Sequence, residues 1–174
     1  MRLQIIGVAT MFLLLFGPAC SSSRQNDLSY KGSVKKALEQ ADLQDVTVTE
    51  DRDKNTITLG GKVHSENAKA KAAQVARGAA GNRIVANEVS VQPVGAESEA
   101  KDIASNVDDA IEKNYKAVLI SDGLDKQHIV FSARNGVLTI KGSVKDATQR
   151  QHAQQLAAKI PNVQQVLNQI DVKR

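Results

Sequence analysis

Few of the side chains that could bind a metal, move a proton or attack a carbonyl fall at useful spacings in this 174-residue chain. His64, His128 and His152 are scattered, without the short spacings that gather imidazoles around a metal. Asp108-Asp109, Asp122 and Asp125 form neither a metal-binding loop nor a paired-carboxylate signature. There is no glycine-rich phosphate loop and no Ser/His/Asp or cysteine nucleophile signature. The expectation is a non-enzymatic protein with no metal and no cofactor. Contact chemistry remains. Lys113, Tyr115 and Lys116 surround Val118, Leu119, Ile120 and Leu124, which sets a basic and aromatic rim beside apolar residues. Such a rim suits anionic lipid headgroups, with Lys113, Tyr115, Lys116 and Leu119 as the contact residues. The same apolar run would equally serve as the cover of a β-sheet.

The single cysteine, Cys20, excludes an intramolecular disulfide, so its position is what matters. Met1-Arg2 is followed by an apolar run from Leu3 to Phe16, then Gly17-Pro18-Ala19-Cys20 and three serines. A positive start, a short apolar core and small residues read as a secretory signal over residues 1–19. The run is shorter than the roughly 20 apolar residues that a spanning helix needs. A cysteine at this point resembles the lipobox of bacterial lipoproteins. That resemblance implies lipid attachment at Cys20, and Ser21 after it implies sorting to the periplasmic face of the outer membrane. Gly17 and Ala19 also satisfy the small-x-small rule of ordinary signal cleavage, which would release a soluble periplasmic protein. Residues 20–31 then form the lipidated cysteine and a polar tether.

The formal net charge of +4 is spread along the chain, and aromatic residues make up only 3%. With no basic stripe and almost no stacking rings, nucleic acid is not an expected partner.

The elements that must position these residues are written twice. Shifted by 81 positions, residues 56–91 lie over residues 137–172 without a gap, with nine identities in 36. Thr58-Leu59-x-Gly61-x-Val63 falls on Thr139-Ile140-x-Gly142-x-Val144, and Val85-x-Asn87-x-Val89-x-Val91 falls on Val166-x-Asn168-x-Ile170-x-Val172. Almost every apolar position is kept apolar, so this is an internal repeat. Each copy opens on a helix: Val34, Ala37, Leu38 and Ala41 mark the first, and Val107, Ala110 and Ile111 match it at an offset of 73. The difference of eight between the offsets implies an insertion around residues 118–126. Two alternating strands follow, and Asn135-Gly136 between the second pair predicts a tight hairpin. Ser65 and Asp146 predict the caps of a second, alanine-rich helix, and a last alternating strand closes each unit.

The pattern apolar-x-Gly-x-Val, an alanine-rich helix and then Val-x-Asn-x-Ile/Val-x-Val resembles the BON domain, and the resemblance covers both copies. It implies an α+β fold of two tandem αββαβ domains, each with two helices packed on a three-stranded mixed sheet. The expected layout is residues 32–93 and 102–174 as domains, with residues 94–101 as linker. It also implies a periplasmic setting and phospholipid binding in support of the cell envelope. One departure is the turn before the last strand, Ala80-Gly81-Asn82 in one copy and Pro161-Asn162-Val163 in the other, where the backbone is expected to differ.

Gly61 and Gly142 read as structural, at a bulge or a positive φ near a strand end. Asn87 and Asn168 share a face with valines, and each is expected to tie down a turn of its own domain. Two functions follow. The first is a non-enzymatic envelope protein that binds phospholipid, preferably anionic, through its second domain. The second is a periplasmic protein-interaction or chaperone-like module that acts on other envelope proteins under osmotic stress, through an exposed sheet edge or helix groove.

Overall fold

The computed structural model describes residues 29–173, so the leader, Cys20 and most of the tether lie outside the described residues. The first unit runs α1 (Lys31–Gln40), β1 (Val46–Asp51), β2 (Thr56–Val63), α2 (Glu66–Ala79), β3 (Ile84–Asn87) and β4 (Ser90–Val91). The second runs α3 (Glu97–Ser121), β5 (His128–Arg134), β6 (Val137–Val144), α4 (Ala147–Ala158) and β7 (Gln165–Val172). In each unit the central strand pairs antiparallel with the strand before it and parallel with the strand after the helix. The αββαβ module is thus present twice, helices on one face of a mixed sheet.

Sequence periodicity explains which faces are buried. Alternate residues Val46, Val48, Ile57, Leu59 and Val63 point under the helices, where they meet Val34, Leu38, Ala72 and Ala76. The second core repeats this with Leu138, Ile140, Val144 and Ile170 under Ile111, Tyr115, Leu119, Ala153 and Ala157. Alanines along α2 and α4 let those helices sit close to the sheet. Both are capped as their sequences foretell: Ser65 accepts from the Ala68 N–H at 3.2 Å and Asp146 from the Gln149 N–H at 2.8 Å.

The expected eight-residue insertion is not there. Residues 118–121 are the last turn of α3, and the two opening helices match at an offset of 81, as the rest of the repeat does. Leu38 and Leu119 are buried equivalents. The Leu43 N–H bonds to the Leu38 carbonyl at 3.0 Å, and the Leu124 N–H to the Leu119 carbonyl at 2.9 Å. Asp42 (φ 60) and Gly123 (φ 71) turn the chain between them. An offset of 73 also aligns the apolar stripe, because eight residues are close to two helical turns and the stripe nearly matches itself after that shift. The true length changes are small and cancel. The loop into β5 is two residues longer than the loop into β1, and the β5–β6 hairpin loop is two residues shorter. Asn135 (φ 48) and Gly136 (φ 84) both take positive φ in that tight hairpin.

Two elements begin outside the bounds drawn from sequence. Tyr30 packs against the first core and stands at the N-cap position of α1 without a side-chain cap bond, so the fold begins within the stretch read as tether. α3 begins at Glu97, within the stretch read as linker; Glu97 and Glu99 lie in its first turn, where acidic groups favour the helix dipole. At about 1.5 Å per residue its 25 residues extend about 37 Å. The turns at 80–82 and 161–163 share a left-handed residue, Gly81 (φ 60) and Asn162 (φ 68), but close differently: the Arg83 N–H bonds to the Ala80 carbonyl in one copy and the Val163 N–H to the Ile160 carbonyl in the other. Asparagine tolerates that conformation nearly as glycine does.

Candidate functional site

The C-terminal half of α3 divides the residues that sequence grouped together. Ile111, Tyr115 and Leu119, four apart, form the buried stripe, whereas Lys113, Lys116 and Ile120 are exposed. Tyr115 is fully buried. Its hydroxyl donates to the Ala153 carbonyl at 3.1 Å, and its ring meets Phe131 edge-on at 5.1 Å between centroids. Burial pushes its phenol up to about 12. Tyr115 therefore belongs to the core and not to a surface rim. Tyr115→Phe should lower stability by about 1 kcal/mol, since it removes one buried hydrogen bond to a carbonyl that keeps its helical partner, and leave the surface unchanged. Urea unfolding read by circular dichroism checks this.

Beside that helix lies a cavity of about 390 Å³, lined by Lys116, Leu119, Ile120, Leu124, Ile129 and Phe131. Its far wall is β5, an edge strand that pairs only with β6 among the described residues. α3 covers the end of this edge nearest the hairpin. The Glu112 carboxylate accepts from the Ala133 N–H at 2.8 Å, and the Asp108 carboxylate accepts from the Asn135 and Gly136 N–H groups at 2.7 and 3.0 Å. α3 leaves residues 128–131 uncovered, where the Ile129 N–H is bonded to the Gln127 carbonyl at 2.9 Å; Val130 is 66% exposed and Ile120 55% exposed. Sequence reasoning missed Val130 as a surface residue and Ile129 and Phe131 as half-buried lining of the cavity. The signal for Ile120 was present, because it falls out of phase with the buried stripe.

A second constellation joins the two units. The Gln165 carboxamide accepts from the Asn87 N–H at 3.3 Å and donates to the Val85 carbonyl at 2.9 Å. Asn135 Nδ2 donates to the Glu88 carbonyl at 2.8 Å, and Lys69 Nζ donates to the Asn135 carbonyl at 3.0 Å. Lys54 pairs with Asp171 at 2.9 Å, and Ala86, Val137 and Leu167 form a small apolar contact of their own. Burial lowers the Lys69 ammonium from its ordinary range, opposed by Glu66 and Asp108. Burial also raises the Glu88 carboxyl, opposed by Arg134 and Lys141. Between the units lies a cleft of about 570 Å³, walled by Val91, Pro93, Ile103, Val107 and Val163 with Lys69 among its lining residues.

The repeated glycines and asparagines are internal. Gly61 (φ 86) and Gly142 (φ 109) stand where a Cβ would overlap the carbonyl oxygens of Asp45 and His128. The asparagines do not tie down turns. Asn87 Nδ2 donates to the Lys69 carbonyl at 3.0 Å and Asn168 Nδ2 to the Arg150 carbonyl at 3.2 Å, so each fastens the last strand to the second helix. His64 Nδ1 bonds to the Gln92 carbonyl, His152 contacts Asp122, and His128 is exposed. No group of three or more His, Cys, Asp or Glu that could hold a metal occurs among the described residues. No helix among them is long and apolar enough to cross a membrane.

The class of protein is set by its fold: a two-layer αββαβ unit written twice, with its repeated glycines and asparagines used in its own bonding. The BON domain family model matches residues 26–93 and 100–174, and the chain belongs to that family. The family is non-catalytic and is associated with phospholipid. Osmotically-inducible protein Y of Escherichia coli (strain K12) is 27% identical over 150 residues, which cover 85% of this chain and 73% of that protein. Among solved structures, the C-terminal domain of CdsD, the structural protein of the Type III secretion system of Chlamydia trachomatis, aligns at 14% identity with a TM-score of 0.33. That alignment covers 80% of this chain and 62% of the other, so the chain spans less than two thirds of it.

Proposed function

We propose that this protein is an exported, periplasmic interaction module that holds extended segments of other envelope proteins under osmotic stress. The observation that carries this reading is the uncovered edge of β5 from the Ile129 carbonyl to Phe131, beside the apolar cavity of Ile120, Ile129 and Phe131. An edge strand offers main-chain groups to any extended segment, and an adjoining pocket receives alternate side chains. The similarity to a protein named as osmotically inducible supports the setting. The test is fluorescence anisotropy of a labelled, extended valine–threonine peptide on the chain from residue 21 onward. Val130→Lys with Ile120→Lys places charges on the edge and at the cavity mouth; binding should weaken at least about tenfold, a difference of roughly 1.4 kcal/mol. Equal binding by the parent and the double variant would overturn the assignment.

A second reading rests on the exposed stripe of Lys113, Lys116 and Ile120 on α3. Two ammonium groups beside an apolar side chain suit an anionic bilayer, and each is worth about 1 kcal/mol near such a surface. Co-sedimentation with anionic and zwitterionic vesicles at two salt concentrations tests it. Salt-sensitive binding lost in Lys113→Glu with Lys116→Glu would favour this reading, and no binding at low salt would remove it. Anchoring through a lipidated Cys20 at the outer membrane, with support of the envelope from there, belongs to the same proposal. The mass of the mature N-terminus separates it from a released soluble form.

A further inference from the structure

The outward side of β3 is a strand-receiving edge already filled by a side chain. In a parallel pair, one residue of the incoming strand donates its N–H to the carbonyl before the residue it faces. Its C=O accepts from the N–H after that residue. The Gln165 carboxamide does both around Ala86: its Nε2 donates to the Val85 carbonyl and its Oε1 accepts from the Asn87 N–H. On the other side β3 pairs with β2 in parallel register, and the Ile84 N–H bonds to the Asn55 carbonyl at 2.9 Å. One amide thus stands where one residue of a further parallel strand would stand.

Its neighbours hold it there. β3 ends at Asn87, and at the break the Glu88 carbonyl is taken by Asn135 Nδ2, while β4 resumes pairing with β2 at Ser90. In the second unit β7 pairs with β6 unbroken from Gln165 to Val172. The interruption is therefore confined to the copy whose edge is covered. Lys54 with Asp171 and the apolar trio Ala86, Val137 and Leu167 close the seam on either side.

We propose that the second unit is a latch on the first: Gln165 occupies a parallel strand-receiving edge, and separation of the units presents that edge to an extended polypeptide. This goes beyond the β5 reading, since it concerns a different strand in the other unit. The occupant is an extended chain because the group now in place is itself a peptide-like amide making a strand's two hydrogen bonds.

The test reads the Asn87 N–H by amide hydrogen exchange in the full chain. Gln165→Leu keeps the size of the side chain and removes both hydrogen bonds; Asp171→Lys loosens the seam from a site that does not touch β3. Each variant should exchange Asn87 at least about tenfold faster than the parent, and an extended valine–threonine peptide should slow it again. Val130→Lys is carried in every arm, so that binding at the β5 edge does not contribute. Unchanged exchange in both variants would overturn the latch. Faster exchange that the peptide does not slow would overturn the receiving edge, whatever the result at β5.

Discussion

Replacing Gly142 with alanine is expected to unfold the second domain at a temperature at which the parent is stable. The residue sits at φ 109, and a Cβ built there runs into the His128 carbonyl and comes to 3.4 Å from the Ile129 Cα. Both neighbours are backbone, fixed by the β5–β6 register in which Ile129 faces Gly142, so no side chain can swing aside. Overpacking of this kind costs about 1–3 kcal/mol, and a left-handed conformation adds about 1–2 kcal/mol for a residue with a Cβ. A combined loss of about 2–5 kcal/mol is a large fraction of what a domain of this size holds. Calorimetry should show Tm lowered by more than about 10 °C. Gly61→Ala should do the same to the first domain, where the Asp45 carbonyl is the obstacle. A shift of less than about 4 °C would mean that the strand yields locally, and the rigid-backbone argument would be wrong.

The second large effect is expected at Glu50. Its Oε2 accepts from the Ser29 hydroxyl at 2.6 Å, its Oε1 from the Tyr30 N–H at 3.2 Å, and Arg83 Nε lies 3.4 Å away. The side chains of Glu50 and Arg83 are 5% and 1% exposed, so the pair is enclosed beneath the start of α1. Arg83 also spans to Asn55 and lies 5.7 Å from the Tyr30 ring centre. The Ser29 hydroxyl, then the backbone N–H groups of Tyr30 and Lys31 and the Arg83 charge, hold the Glu50 carboxyl below its usual range against the opposing effect of burial. Glu50→Gln removes one partner of an enclosed pair and should cost about 3 kcal/mol at pH 7. The sign with pH follows. A carboxyl whose folded value is lowered stabilises the fold above about 4.5, and this contribution is lost as pH falls through the folded value. Urea denaturation at pH 7 and below pH 4 should therefore show the gap between parent and Glu50→Gln narrowing in acid. A gap that stays constant would assign the loss to packing, not charge.

The architecture could be read from the sequence because repetition doubles every signal. Strand alternation, the Ser65 and Asp146 caps and the Asn135-Gly136 hairpin each depend on local residue chemistry, and the structure has them where the sequence puts them. Register between the opening helices was lost because a stripe with a 3.6-residue period nearly coincides with itself after eight residues. Tyr115 was misjudged for a related reason: a helix sets residues 113, 115 and 116 on different faces, and only the longer stripe through Ile111 and Leu119 reveals which face is buried. The open edge of β5 and the Gln165 bridge had no signature at all. The first is a property of strand order in the sheet. The second is one amide meeting the backbone of a residue 78 positions away, and no pattern of residue types encodes that meeting.

The seam between the units runs head to tail: the final edge of one copy meets the last strand of the next. Contacts of that kind, if each copy carried both halves, would repeat from molecule to molecule and build filaments. Here the halves are not duplicated. The position in the first copy that matches Gln165 is Ile84, and the four-residue loop there replaces the Asn-Gly turn that places Asn135. A first unit therefore lacks the two side chains that make this seam, and the contact cannot repeat by the same groups. Divergence at these few positions gives the seam a single direction.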